Sequence, residues 1–171
     1  MKILILNGSP RANGNTAAMV QAFKESAESA GHTVTTAVVG RMKISGCIAC
    51  EYCHTKGNGT CAQNDDMQKI YPCLQEADML VIASPIYYFT LTGQIQCALQ
   101  RMYCINHPPK AVKAALLLSS ASPDVYSGAI AEYKDILSYC GIENAGIITA
   151  YGGQNKSASK LAEIREFAKT L

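Results

Sequence analysis

Apolar residues gather in five short runs of strand length, Lys2 to Leu6, Thr33 to Val39, Met79 to Ala83, Ala114 to Leu118 and Gly146 to Ala150. Four are nearly continuous, which is the pattern of strands covered by helices on both faces. The second alternates through Val34, Thr36 and Val38, as an edge strand with one wetter face should. Between the runs lie segments with helical spacing. Met19, Phe23, Ala27 and Ala30 form one stripe that stops at Gly31, and Asp65 or Asp66 can cap a second helix running toward Ala77. A third is marked by Ile95, Ala98, Leu99 and Met102 after Gly93, and a fourth by Ile130, Tyr133, Leu137 and Cys140 before Gly141. Leu161, Ile164, Ala168 and Leu171 mark the fifth.

This alternation predicts an α/β fold of five βα units with right-handed crossovers. The natural five-strand solution is a flavodoxin-like doubly wound sandwich: a parallel sheet in the order 2-1-3-4-5 with helices on both faces. A length of 171 residues suits one domain spanning 1–171. Repeats and low-complexity stretches are absent. The opening apolar run stops at Asn7 without a cleavage-like site, and no run approaches the roughly 20 residues needed to cross a bilayer, so a cytoplasmic location is expected. Fifteen Lys and Arg against thirteen Asp and Glu leave only +2, too little for a surface that tracks nucleic acid. Eight Cys in such a chain point to cofactor chemistry rather than to a disulfide framework.

The first run leads straight into Asn7-Gly8-Ser9-Pro10-Arg11-Ala12-Asn13-Gly14-Asn15-Thr16 and then into the first helix. A loop ending at a helix N-terminus offers unpaired N–H groups and the positive dipole end to an anion. Ser9, Asn15 and Thr16 add side-chain donors, Arg11 adds a permanent charge, and Gly8 and Gly14 let the backbone curl closely. The spacing is neither G-x-x-x-x-G-K-[ST] nor G-x-G-x-x-G, which argues against nucleoside triphosphate and Rossmann-type sites. No Cys is followed six positions later by Arg, which removes a low-molecular-weight phosphatase. An ordinary turn in which Ser9, Asn13 and Asn15 only cap the helix stays open. The loop after the third strand, Pro85-Ile86-Tyr87-Tyr88-Phe89, falls at the same carboxyl edge of the sheet, and its aromatic faces suit a flat ring or a subunit contact.

Gly8-Ser9-Pro10-Arg11 with Gly14-Asn15-Thr16 resembles the phosphate loop of the flavodoxin-like NADPH-dependent FMN reductases, and the likeness extends through Asp65-Asp66-Met67, Ser84-Pro85-Ile86-Tyr87, Gly141-Ile142-Glu143 and Gly152. The resemblance implies FMN, with Ser9, Arg11, Asn13, Gly14, Asn15 and Thr16 around its phosphate and ribityl chain. It implies Pro85, Ile86, Tyr87, Tyr88 and Phe89 along the isoalloxazine ring, and Ser119 in a third loop that departs from the usual Thr and Gly. NAD(P)H is the implied cosubstrate, and a homodimer or higher homo-oligomer the implied assembly.

From Gly46 to Asp65 apolar periodicity disappears, and a structureless loop of that length is uncommon unless it performs a function. It contains Cys47, Cys50, Cys53 and Cys61 as C-x2-C-x2-C-x7-C. Three thiols within seven residues can face several irons at once, and the spacing resembles the iron–sulfur flavoproteins, in which these four would hold a [4Fe-4S] cluster. Zinc normally uses two separated Cys pairs. Cluster-free reductases of this fold keep similar loops, so a metal-free thiol loop stays open. Cys73, Cys97, Cys104 and Cys140 lack ligand spacing and read as small core residues, and His32, His54 and His107 as turn or loop residues.

The sequence therefore points to an FMN-dependent oxidoreductase that takes hydride from NAD(P)H and passes electrons to a further acceptor. A non-enzymatic flavodoxin-type electron carrier is the alternative, although a charge of +2 offers little of the electrostatic steering such carriers use.

Overall fold

The structure is a computed structural model that describes all 171 residues. Five strands, β1 (Lys2–Asn7), β2 (Thr33–Ala37), β3 (Met79–Pro85), β4 (Lys113–Ser120) and β5 (Glu143–Tyr151), form one sheet in the order β2-β1-β3-β4-β5. Every neighbouring pair is parallel. The helices are α1 (Asn15–Ser29), α2 (Tyr71–Glu76), α3 (Gly93–Arg101), α4 (Ser127–Cys140) and α5 (Ala158–Lys169). The expected flavodoxin-like topology is therefore present.

Side chains of a strand alternate between faces, so a strand covered on both sides must be apolar throughout. In β1, Ile3 and Ile5 pack with Met19 and Phe23 of α1 and Ile164 of α5, while Leu4 and Leu6 pack with Leu74 of α2, Ile95 of α3 and Tyr133 of α4. Two cores thus share the central strands. β2 has one neighbour, and its Thr33 and Thr35 are exposed while Val34 is buried, which accounts for its alternating sequence.

Several boundaries differ from the sequence reading, β5 starting at Glu143 and β4 running to Ser120, and two differences bear on the site. β2 stops at Ala37, and the chain turns through a short 3-10 helix, Val39–Arg41, that packs beside the first loop. The helix expected between Asp65 and Ala77 is divided. The Asp65 carboxylate accepts the Met67 N–H at 3.1 Å and opens a 3-10 turn, Asp66–Lys69, after which α2 starts afresh around Pro72. Proline lacks an N–H and its ring crowds the carbonyl four residues earlier, so one continuous helix could not pass through it. No helix of the fold is long and apolar enough to cross a membrane.

Candidate functional site

The first loop leaves β1 at the carboxyl edge of the sheet, where the order β2-β1-β3 sends the chain to opposite faces. The Gly8 N–H continues the ladder to the Ala83 carbonyl at 2.8 Å. Beyond it the Ser9 N–H donates to Asn7 Oδ1 at 2.9 Å and the Gly14 N–H to the Arg11 carbonyl at 3.2 Å, folding the segment back on itself. Gly14 is the cap residue of α1, no side chain caps it, and the first turn carries no acid. The arrangement in which Ser9, Asn13 or Asn15 merely cap the helix is therefore not adopted, and the dipole end of α1 stays free of competing negative charge.

Close packing fixes the loop from two sides. A Cβ on Gly8 would overlap the side chains of Ile95 and Thr92, and a Cβ on Gly40 would overlap the backbone of Gly8 and Ser9. Thr92 caps α3 by accepting the Ile95 N–H, and its hydroxyl donates to the Gly8 carbonyl at 3.3 Å. Neither Gly40 nor Thr92 carried a sequence signal tying it to the first loop, because each acts through a residue far away in the chain.

The loops after β3 and β4 complete a cleft of about 510 Å³. The Ile86 N–H donates to the Ser119 carbonyl at 2.8 Å, and the hydroxyls of Thr16 and Ser119 share a hydrogen bond of 2.7 Å, joining the first and third loops directly. Ser9, Arg11, Gly14, Asn15 and Thr16 line one part of the cleft, and Pro85, Ile86, Tyr87 and Ser119 line another. Asn155, missed in the sequence, is also in the wall. Its amide donates to the Ser120 and Gly152 carbonyls, while its Oδ1 is buried without a partner.

Three expected residues are placed elsewhere. Asn13 lies on the far side of the loop, where its carbonyl accepts from Lys156 at 2.7 Å. Tyr88 and Phe89 are 97% and 61% exposed, at the tip of a tight turn closed by paired backbone bonds between Tyr87 and Thr90. Both have left-handed backbone, with φ of 52° and 68°. Two such residues in succession match a turn normally built from Asn and Gly, and side chains there cost of order 1–3 kcal/mol each, strain that concentrates at functional sites.

Cys47, Cys50, Cys53 and Cys61 line a common recess, with Cys53 buried and Cys47 and Cys50 exposed. A fifth thiol joins them: Cys104, buried just beyond α3, donates to the Gly59 carbonyl at 3.1 Å, and burial pushes its pKa up to about 11. Of the other Cys expected in the core, Cys73, Cys97 and Cys140 are half-buried. The four loop thiols are the right donors for iron, but no three of the chain's Cys, His, Asp or Glu side chains converge on one point, so holding a metal requires them to draw together.

From the sequence a cluster on these four Cys is the expected source of order in the loop; the structure shows a protein anchor as well, in Arg101. At 1% exposure Arg101 is the largest fully buried side chain. It donates to both carboxylate oxygens of Asp65, at 2.7 and 3.2 Å, to the Ser45 carbonyl at 3.0 Å and to the Gln63 carbonyl at 3.3 Å. Ser45 and Gln63 flank the four thiols, so one guanidinium grips both ends of the loop. Burial raises the Asp65 pKa, but hydrogen bonds from Arg101 and from the Ser45 and Met67 N–H groups outweigh it and hold the carboxyl below its usual range.

Residues 1–154 match the family of NADPH-dependent FMN reductases, and the chain belongs to that family. Among curated proteins it is similar to an iron-sulfur flavoprotein of Archaeoglobus fulgidus, 35% identical over 109 residues that make up 64% of this chain and 49% of that protein. An iron-sulfur flavoprotein of Methanocaldococcus jannaschii is 36% identical over 61% of this chain and 52% of its own. The chain thus spans about half the length of the curated relatives it matches. Among solved structures, an NAD(P)H:quinone oxidoreductase from Methanothermobacter marburgensis superposes with a TM-score of 0.70 at 18% identity, covering 99% of this chain and 93% of that one. An FMN-dependent NADH-azoreductase from Bacillus anthracis, solved with FMN, gives 0.71 at 16% identity over 99% of both chains. At these identities the superpositions establish the fold.

The anchor makes a testable statement. Replacing Asp65 by Asn should destabilise the protein toward the lower end of the roughly 3–5 kcal/mol typical of breaking a buried pair. Because the carboxyl is held below its ordinary value, its contribution is complete at neutral pH and is lost as pH falls through the folded-state value. Urea unfolding should show the largest gap between wild type and Asp65→Asn near pH 7, shrinking below about pH 4. An equal gap at both pH values would show that the pair is not what holds the loop.

Proposed function

We propose that this protein is an FMN-dependent oxidoreductase that takes hydride from NAD(P)H and passes electrons to a further acceptor. The observation that carries the reading is the cleft at the sheet's carboxyl edge, built from three mutually bonded loops around an uncapped helix N-terminus. In it Ser9, Arg11, Asn15 and Thr16 would surround the FMN phosphate, with Asn13 and Gly14 shaping the loop behind them. Pro85, Ile86 and Tyr87 would face the ring, beside Ser119. The buried Asn155 Oδ1 is an unsatisfied acceptor in the same wall, which a ligand hydroxyl or N–H would relieve. Bound FMN supplies the hydride acceptance and electron release, and the protein's part is to orient the ring, cover one face and leave the other open to the nicotinamide.

Cys47, Cys50, Cys53 and Cys61 would hold a [4Fe-4S] cluster, which supplies one-electron transfer. Support comes from their spacing, their common recess and the names of the two archaeal relatives. The exposed tip at Tyr88 and Phe89 would be covered by a second copy of the chain in a two-fold dimer.

Four measurements check these assignments. Ser9→Ala combined with Thr16→Ala should weaken FMN binding by about tenfold or more, and FMN-loaded wild type mixed anaerobically with NADPH or NADH should bleach rapidly. Unchanged affinity would place the phosphate elsewhere, and a flavin that stays oxidised would favour a simple carrier. Iron and acid-labile sulfide after reconstitution under argon should approach four per chain and fall sharply in Cys50→Ser but not in Cys140→Ser. Values near zero in a chain with full flavin content would leave the loop as a thiol site. Sedimentation at micromolar concentration should give a dimer, and a monomer with flavin bound would contradict the role given to Tyr88 and Phe89.

A further inference from the structure

On the far side of the first loop lies a second cleft, of about 570 Å³, that the flavin reading does not use. Arg11 and Gly14 belong to both walls, so the two clefts are separated only by the loop itself. Arg11, Lys24, Arg41 and Lys156 converge on the second one, and no Asp or Glu lines it. With four cations and no carboxylate in its wall, the recess carries a local positive charge.

Two of these cations are held in position with most of their donors free. Arg41 Nε donates to the Pro10 carbonyl at 2.9 Å, leaving both terminal nitrogens of its fork available. Lys156 Nζ donates to the Asn13 carbonyl at 2.7 Å and keeps two further N–H groups. Lys24 stands on α1 with only a loose partner, Glu28 at 3.8 Å. Thr36, at the end of β2, is in the same wall, and its hydroxyl is buried without a hydrogen-bond partner. The volume is far larger than one phosphate needs, and between the charges run the small apolar side chains of Ala17, Ala18 and Val38. A recess with a cationic rim and a small-residue floor suits a ligand that combines a dianion with a flat or ribose-like body.

We propose that this cleft binds a nucleotide carrying a phosphomonoester, with the phosphate held by Lys24, Arg41 and Lys156 and the nucleoside resting on Ala17, Ala18 and Val38. The ligand has two possible sources with the same chemistry. One is the 2′-phosphorylated adenosine of NADPH, reaching across the shared wall while its nicotinamide faces the flavin cleft, and this source rests on the flavin reading. The other is a separate adenine nucleotide, which does not.

The test is calorimetric titration of the chain, with and without FMN, using adenosine 2′,5′-bisphosphate, adenosine and inorganic phosphate as probes. The bisphosphate should bind once per chain, more tightly than either fragment, and both Lys24→Glu and Arg41→Gln should weaken it about tenfold or more. FMN content of each variant reports whether the first loop is intact, and if Arg41→Gln loses flavin through its bond to Pro10, Lys24→Glu alone decides. If the bisphosphate raises KM for NADPH and not for NADH, the ligand is the cosubstrate. If it binds without affecting either KM, the ligand is a separate nucleotide. Absence of saturable binding, binding unchanged by the deciding variants, or phosphate alone binding as tightly as the bisphosphate would overturn the proposal. Because binding is also read on flavin-free chain, a protein that takes up no FMN sinks the flavin reading without touching this one.

Discussion

Everything proposed for this protein depends on how closely the backbone after β1 is gripped. Gly8 is pressed against Thr92 and Ile95 on one side, and the backbone of Gly8 and Ser9 touches Gly40 on the other, with no room for a Cβ at either glycine. These contacts fix the positions of N–H groups and hydroxyls before any ligand arrives. Such prior placement is what an anion site requires, because donors that must be ordered on binding give back affinity as lost entropy. The Thr16 to Ser119 hydrogen bond then locks the third loop to the first, so the cleft behaves as one unit.

Helix α3 connects this unit to the cysteine loop. Thr92 at its start bonds to the first loop, and Arg101 at its end holds both flanks of the segment carrying the four thiols. Nine helical residues rise by about 13 Å, so the two grips are joined by a short rigid rod. Between the flanks the loop is bonded as well: the Gly57 and Gly59 N–H groups donate to the Tyr52 and Cys53 carbonyls and the Cys104 thiol to the Gly59 carbonyl, while Cys47 and Cys50 are exposed.

The elements of this fold were legible in the sequence because they depend on local periodicity. The continuous runs of β1, β3 and β4 and the alternation of β2 follow from which faces are covered, and strict alternation of strands and helices gives a doubly wound parallel sheet, of which the order β2-β1-β3-β4-β5 is one natural five-strand solution. The first loop was legible for the same reason, since a Gly-, Ser- and Asn-rich segment with Arg11 runs directly from a strand into a helix. What could not be read were partners brought together from distant parts of the chain. Gly40 supports a loop thirty residues earlier, Asn155 enters the cleft from beyond β5, and Arg101 looks like an ordinary helix-terminal cation until its burial is seen. Cys104 lacked ligand spacing but shares the recess of the loop thiols, while Asn13, Tyr88 and Phe89 do not line the cleft: Asn13 faces the other side of the first loop and Tyr88 and Phe89 stand exposed at the tip of the turn beside Tyr87.

The central claim is that the first loop exists to bind the terminal phosphate of a flavin. The most direct measurement is the ratio of FMN to riboflavin affinity, obtained by quenching of flavin fluorescence on titration with the flavin-free chain. Loss of the phosphate removes several charge-assisted hydrogen bonds of roughly 1.5–3 kcal/mol each, so riboflavin should bind at least about a hundredfold more weakly than FMN. Equal affinities would mean that the loop does not hold the phosphate and would contradict the account.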